Sequence, residues 1–271
     1  MHALDEWPEE DRREVVGVFT DIDDTLTTEG AITPDALDAL ENLKQAGLPV
    51  VAVTGRPLGW SVPFAQTWPV DAIVAENGSV ALVRGPQGLA RLYLQDAQTR
   101  ARNFARMEQV AIRVMREVPG ALLSQDSRGR ETDIAIDHSE FTHLPKDAIA
   151  EVVRIMEAEG MSATVSSIHI NGWYGNHNKL VGARWIVQAL WGRTLDAEIA
   201  HWVYVGDSTN DQLMFQAFRN SFGVANVRRF VPELAHLPRY VTPAERGAGF
   251  AEVVQALLST PGRCHPRASP A

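Results

Sequence analysis

The chain has 271 residues, 45% of them apolar, and a formal net charge of −9. That apolar content supports a folded core and excludes a globally disordered chain, and the length suits one large domain or two ordinary ones. The acidic balance argues against nucleic acid as the main partner, because phosphate backbones are held by basic faces; a few local cations can still bind a small anion. Only one cysteine is present, Cys264, which excludes an intrachain disulfide and fits a reducing, cytoplasmic setting. Residues 1–13 carry no apolar signal-type stretch, and no apolar run approaches ~18 residues, so neither a signal peptide nor a membrane contact is expected.

Residues 1–13 read as a polar, flexible lead-in. The first strand is expected over about 14–20, where Val15-Val16-Gly17-Val18-Phe19-Thr20 forms the short, nearly continuous apolar run of a strand buried on both faces. It leads straight into Asp21-Ile22-Asp23-Asp24-Thr25. After a loop, Thr33-Pro34 opens a helix, with Ala36, Leu37, Leu40 and Leu43 on one face and Gly47 at its end. A second strand, Val50–Val53, runs into Thr54-Gly55-Arg56-Pro57. A third, Ala72–Ala75, is followed by Asn77-Gly78, which reads as a hairpin turn into residues 79–83.

The texture changes near Arg84. A turn cluster over 85–88 precedes a charge-rich helix at about 97–118, with Phe104, Met107, Val110, Ile112, Val114 and Met115 as its apolar positions. Strands are expected at 121–124 and 132–136, a helix from Pro145 to Glu159, and two short strands at 162–165 and 167–170. This helix-strand-strand repeat predicts a separate α+β module at 84–175, inserted in an α/β core of 14–83 and 176–258. The core resumes with a helix from Lys179 to Gly192 and a strand at 202–205 that enters Gly206-Asp207-Ser208-Thr209-Asn210-Asp211. A short helix, a strand at 221–225 and a last helix at 245–258 follow, and the tail 259–271 reads as flexible.

Three polar clusters thus fall at the carboxyl ends of three strands, the edge at which open α/β sheets bind ligands. Asp21 and Asp23 stand two residues apart, so an extended chain projects both to one side. Their repulsion asks for a hard cation such as Mg²⁺, with Asp207 and Asp211, four apart, holding or orienting it. Asp21 is placed to attack phosphorus, and Asp23 to protonate the leaving oxygen and then activate water. Thr54, Gly55 and Asn210 offer hydroxyl, backbone and amide contacts to a phosphoryl group, and Lys179 supplies the cation that phosphoryl transfer requires.

Together, Asp21-Ile22-Asp23-Asp24-Thr25, Thr54-Gly55-Arg56, Lys179 and Gly206-Asp207-Ser208-Thr209-Asn210-Asp211 resemble the four motifs of the haloacid dehalogenase superfamily. The inserted module resembles the αββαββ cap of the Cof-type and sucrose-phosphatase-like subfamily. The resemblance implies a Rossmann-like parallel-sheet core with a cap and a Mg²⁺-dependent phosphohydrolase. It also implies Asp21 as nucleophile, Asp23 as acid/base and as a metal ligand through its backbone carbonyl, Thr54 and Lys179 as phosphate binders, and Asp207 as a metal ligand. Asp24 stands where the family usually has Gly; it either points away from the site or competes for the metal.

The expected substrate is a small phosphorylated metabolite, a sugar phosphate first. A sugar phosphomutase working through the same aspartyl-phosphate, or a catalytically quiet binding protein, are the alternatives. Arg56 has two readings, a site residue or a surface residue paired with Glu76. His169, Asn171 and Trp173, where the module returns to the core, are candidate substrate contacts, whereas Trp185, Trp191 and Trp202 read as core. Arg128, Arg130 and His138 are scattered cations that a fold can gather into a second phosphate site. The eight histidines lack metal-ligand spacing, so zinc is not expected.

Overall fold

The strand Gly17–Thr20 is where the two halves of the chain meet. On one side it pairs in parallel with Val50–Val53, which pairs with Ala72–Ala75. On the other it pairs in parallel with Trp202–Gly206, followed by Asn220–Gly223, Tyr240–Val241 and His2–Ala3. Two antiparallel strands, Val80–Gly85 and Gly88–Tyr93, complete a nine-stranded sheet. The structure, a computed structural model, describes residues 1–85 and 87–262.

Every residue of the three strands at 17–20, 50–53 and 72–75 is buried, because helices cover both faces of the sheet. Successive side chains point to opposite faces. Val18, Val50 and Ala52 pack with Pro34–Gln45, Leu58–Thr67 and Arg246–Leu258. Phe19, Val51 and Val53 pack with Lys179–Trp191 and Gln212–Ala217. The sheet order reverses at Gly17–Thr20, so the chain leaves a crevice at the carboxyl ends of the central strands.

A second, antiparallel sheet runs in the order Ser162–Val165, His169–Trp173, Ile134–Asp137, Leu122–Leu123. Helices Ala97–Glu117 and Lys146–Ala158 cover it around Met107, Val110, Val114, Val152, Ile155 and Met156. The stripe of the longer helix is Met107, Val110, Ala111 and Val114, whereas Ile112 and Met115 face outward. None of the described helices is long and apolar enough to cross a membrane.

Several expectations are corrected. Residues 1–13 are not a loose lead-in: Trp7 is fully buried, its ring edge-on to Phe222 at 4.6 Å and its indole N–H donating to Asn220 Oδ1 at 3.1 Å. One large aromatic thereby anchors a charged segment on the sheet edge. The C-terminal segment also folds back in its described part, with Thr260 buried and the Pro261 carbonyl accepting from Arg13 at 2.9 Å. The remainder of the tail, with Cys264, lies outside the described residues. Residues 88–93 extend the large sheet, so the elements of the small sheet start at Ala97, not at 84. Asn77-Gly78 does not make a two-residue hairpin; Glu76–Gly78 forms a 3₁₀ turn with all three residues at positive φ.

That turn is the joint between the two sheets. Glu76 is fully buried, and its carboxylate accepts from the Leu58 N–H of the core and from the Glu131 and Thr132 N–H groups and the Thr132 hydroxyl of the small module. Nearby, Gly59 and Gly129 let the two backbones touch; a Cβ on Gly59 would lie 2.8 Å from the Gly129 Cα. Glu76→Ala would leave several buried N–H groups without acceptors. We expect it to lower unfolding free energy by about 3 kcal/mol or more, measured by urea unfolding; a loss within error would show that this joint carries no stability.

Candidate active site

The site is assembled from the carboxyl ends of adjacent strands. Beyond Thr20 the Asp21 N–H still reaches Val205 O at 2.8 Å, so the strand geometry carries Asp21 to the sheet edge. The chain then turns, with Thr25, Leu26 and Thr27 N–H groups all donating to the Ile22 carbonyl. Asp24 takes a φ of +55° within this turn. Its carboxylate lies 3.0 Å from Arg246 Nε, and its carbonyl accepts from Asn226 Nδ2 at 3.0 Å. The side chain therefore points away from Asp21 and is paired.

From the next strand, Thr54 is held by its N–H on Val74 O, and its hydroxyl accepts the Arg56 N–H at 2.9 Å. From the third, Trp202–Gly206 leads to Asp207 and a 3₁₀ turn at Thr209–Asp211. Lys179 is the first residue of its helix, capped by Asn178 through the Val181 N–H, and it is 3% exposed. Its ammonium donates to Asp21 at 2.6 Å, Asp211 at 2.7 Å and Asn210 Oδ1 at 3.2 Å. Burial works against its charge, but the two carboxylates outweigh it and raise the Lys179 pKa.

Asp211 is fully engaged. One oxygen accepts from Lys179 and the Tyr204 hydroxyl, the other from the Asp207 and Ser208 N–H groups at 2.9 and 3.1 Å. It fixes the loop and the lysine. Asp207 differs: Oδ2 accepts from Asn226 at 3.1 Å, whereas Oδ1 is buried with no partner. Burial first, then the charges of Asp21, Asp211 and Asp24, push the Asp207 carboxyl well up. Burial also pushes Asp21 up, with Lys179 opposing and Asp211 adding. Asp21, Asp207 and Asp211 offer oxygens within 4.8 Å of one another. Ionised, the three carboxylates with the Lys179 ammonium carry an excess equal to the charge of one divalent cation, and the unpartnered Asp207 oxygen suits a metal ligand. The residues fit a metal ion.

Arg56 is not on the surface, and its guanidinium pairs with Asp23, Asp126 and Glu140, not with the Glu76 carboxylate. It is 6% exposed and joins the sheets: Nε lies 3.0 and 3.1 Å from the two Asp23 oxygens, and the outer nitrogens reach Asp126 and Glu140 of the small module. Burial raises the Asp23 pKa and Arg56 opposes it. Glu140 also accepts from His169 Nε2 at 2.8 Å. The Gly55 carbonyl accepts from Arg130 and Asn171, at 2.9 and 3.2 Å, and a Cβ there would press on Asn77 at 3.2 Å.

Asp21, Asp23, Thr54, Gly55, Arg56, Ser208 and Asn210 form the floor of one chamber, and Ser166–His169 and Asn171 form its roof. Its volume is only about 10 Å³, room for about one water. Trp173 does not line it; the indole is buried in the small module, stacked on His177, with its N–H on the His177 carbonyl. Nor do Arg128, Arg130 and His138 gather: Arg130 serves Gly55, Asp126 and Asp133, and His138 bonds Ser139 and Ser166. Sequence reasoning missed Tyr204, Asn226, Asp126 and Glu140. Asn226 had one usable signal, its place just past another strand end on the same edge; the other three had none.

A family model described as haloacid dehalogenase-like hydrolase matches residues 18–126. The chain is 26% identical over 243 residues to a protein named phosphoglycolate phosphatase of Methanothermobacter thermautotrophicus, covering 89% of this chain and 98% of that one. Its fold is similar to that of a Thermoplasma acidophilum protein, with TM-score 0.70 and 15% identity over 90% of this chain and 98% of that one. It is similar also to the sucrose-phosphatase of Synechocystis, solved with sucrose and phosphate, with TM-score 0.63 and 15% identity over 89% and 97% of the two chains. Coming on top of a parallel sheet whose strand ends carry Asp21, Asp23, Thr54 and Asp207 under a second, antiparallel sheet, these likenesses make the chain similar in its first half to the haloacid dehalogenase-like hydrolases, and similar along most of its length to phosphatases.

Proposed function

We propose that this phosphatase hydrolyses the monoester of a small phosphorylated metabolite through an aspartyl-phosphate on Asp21, with Mg²⁺ as its cofactor. The observation that carries the reading is that Asp21, Asp23 and Thr54 line one nearly closed chamber, while Asp21 also meets Lys179 and shares a carboxylate cluster with Asp207. Asp21 attacks phosphorus as the ester bond breaks, and Asp23 gives its proton to the departing oxygen. In the second half Asp23 takes a proton from the water that attacks the acyl-phosphate, which frees Asp21 and inorganic phosphate. Arg56 keeps the Asp23 carboxyl oriented throughout. Lys179, Thr54 and Asn210 hold the phosphoryl oxygens.

Asp21 and Asp207 would hold the Mg²⁺, with the Asp23 carbonyl, while Asp211 orients the loop and Lys179. When bound, the ion neutralises charge on the phosphoryl group and on the carboxylates. A chamber of about 10 Å³ cannot admit a phosphate ester. The small module must lift for entry and close again, which excludes water from the intermediate. The sequence points to a sugar phosphate and the curated relatives are named for a two-carbon acid phosphate; both are small enough for such a lid.

Phosphate release from a panel of sugar phosphates, phosphoglycolate and an aryl phosphate decides the reading, with Mg²⁺ and with EDTA. We expect release that needs Mg²⁺ and falls at least about a thousandfold in Asp21→Asn. Persistence of release in that variant would remove Asp21 as nucleophile. For Asp24→Gly, we expect kcat/KM to change by less than about threefold, since the carboxylate faces Arg246 and not Asp21. A larger gain would mean that Asp24 competes for the metal.

A further inference from the structure

We propose that Arg56 and His169 form a receptor for a carboxylate carried by the leaving group of the substrate, and that Glu140 fills this receptor in the substrate-free, closed protein. The inference rests on the phosphatase reading of the same site and adds to it the class of leaving group.

The planar guanidinium of Arg56 serves two carboxylates on different edges. Nε faces both oxygens of Asp23, and Nη1 and Nη2 face the two oxygens of Glu140 at 3.2 and 2.8 Å. His169 Nε2 closes on the same Glu140 carboxylate at 2.8 Å. Arg56 and His169 are 6% and 2% exposed, so both are built into the protein, whereas the Glu140 side chain is 22% exposed. Burial works to raise the Glu140 pKa, but the hydrogen bonds from His169 and Arg56 outweigh it and hold the group down at about 2. A true carboxylate therefore occupies the receptor at neutral pH.

Its position is chemically specific. Asp23 addresses the ester oxygen, and Arg56 ties Asp23 to the Glu140 position. A leaving group joined to that oxygen through one or two carbons reaches the place where the Glu140 carboxylate now sits. Arg56 offers donors only, so the receptor selects a group with several accepting oxygens. It already faces Asp126, 3.2 Å from Nη1, in addition to Asp23. A further uncompensated anion would be repelled; exchanging one carboxylate for another leaves the charge unchanged.

The exchange is also mechanically open. Glu140 sits on the loop after Ile134–Asp137, whose Ser139, Glu140, Phe141 and Thr142 N–H groups are all held by the Asp137 carboxylate. The loop stays in place while the side chain swings to solvent. Lifting the small module for substrate entry separates Glu140 from Arg56, since the pair spans the two sheets. The inferred substrates are phosphate monoesters of short hydroxy acids, with Glu140 as the displaceable internal occupant.

The test compares phosphoglycolate with hydroxyethyl phosphate, its carboxylate-free counterpart, in wild type, Glu140→Gln and His169→Gln. Glycolate binding by calorimetry is measured beside turnover. We expect wild type to prefer phosphoglycolate in kcat/KM by at least about tenfold. His169→Gln should raise KM for phosphoglycolate several-fold more than for hydroxyethyl phosphate. Glu140→Gln, which weakens the internal occupant, should tighten glycolate about fivefold. Equal use of the two esters by wild type, a parallel loss for both in His169→Gln, or weaker glycolate binding in Glu140→Gln would each overturn the receptor. Absence of turnover for every ester, an aryl phosphate included, would instead remove the phosphatase reading, and the glycolate titration would still decide the receptor.

Discussion

Everything at this site depends on a charge problem. Asp21, Asp207 and Asp211 are buried side by side at the end of two neighbouring strands, with Lys179 as the cation that touches two of them. Buried carboxylates at such separations are costly unless paired and hydrogen-bonded. The protein meets part of the cost with directed donors: Tyr204, two backbone N–H groups and Lys179 on Asp211, and Asn226 on Asp207. What is left, an unpartnered oxygen on Asp207 and an excess of negative charge, is suited to a divalent cation. Stability is given up locally in a form that binding can recover.

The second constraint is closure. The small antiparallel module touches the core through polar groups that are themselves buried, among them Glu76, Arg130, Asn171 and Asp133. Such a seam is specific in register because its directed hydrogen bonds, from Arg130 and Asn171 to Gly55 and Asp133 and from Thr132 to Glu76, form in one arrangement only. Arg56 is its centre: the same guanidinium orients Asp23 and grips the module through Glu140 and Asp126. One side chain thus both links the module to the core and fixes Asp23. On the proposed function, this coupling lets the module close over a bound substrate while Arg56 keeps Asp23 oriented.

Much of the architecture was legible in the chain. The runs at 50–53 and 72–75 appear as strands with the expected bounds, because short uninterrupted runs of β-branched and small apolar residues suit a strand buried on both faces, and the polar run at 162–165 does so as well. The helix expected from Lys179 starts there and is ended by Gly192, which takes the left-handed conformation. Other parts were hidden for physical reasons. Trp7 reads as a stray aromatic in a charged lead-in until the edge strand it packs on is known. Helix Leu58–Thr67 holds Pro63 in its interior and lacks an amphipathic stripe, so local signals argue against it and burial against the sheet decides for it. Residues 88–93 look like part of the insertion and are instead an edge strand.

The order and spacing of Asp21, Asp23, Thr54, Lys179, Asp207 and Asp211 were determined by the sequence alone, because each sits at the end of an element whose apolar pattern is local and strong. The tertiary structure decided which of these carboxylates are satisfied and which is left open. It turned Asp24 toward Arg246, engaged Asp211 fully and left Asp207 Oδ1 bare. It alone brought Glu140, more than eighty positions away in sequence, to Arg56, and His169 to the same Glu140 carboxylate. Local pattern specifies where a strand ends; the direction of a charged side chain depends on which distant partners pay its desolvation, and those partners exist only once the sheets have docked.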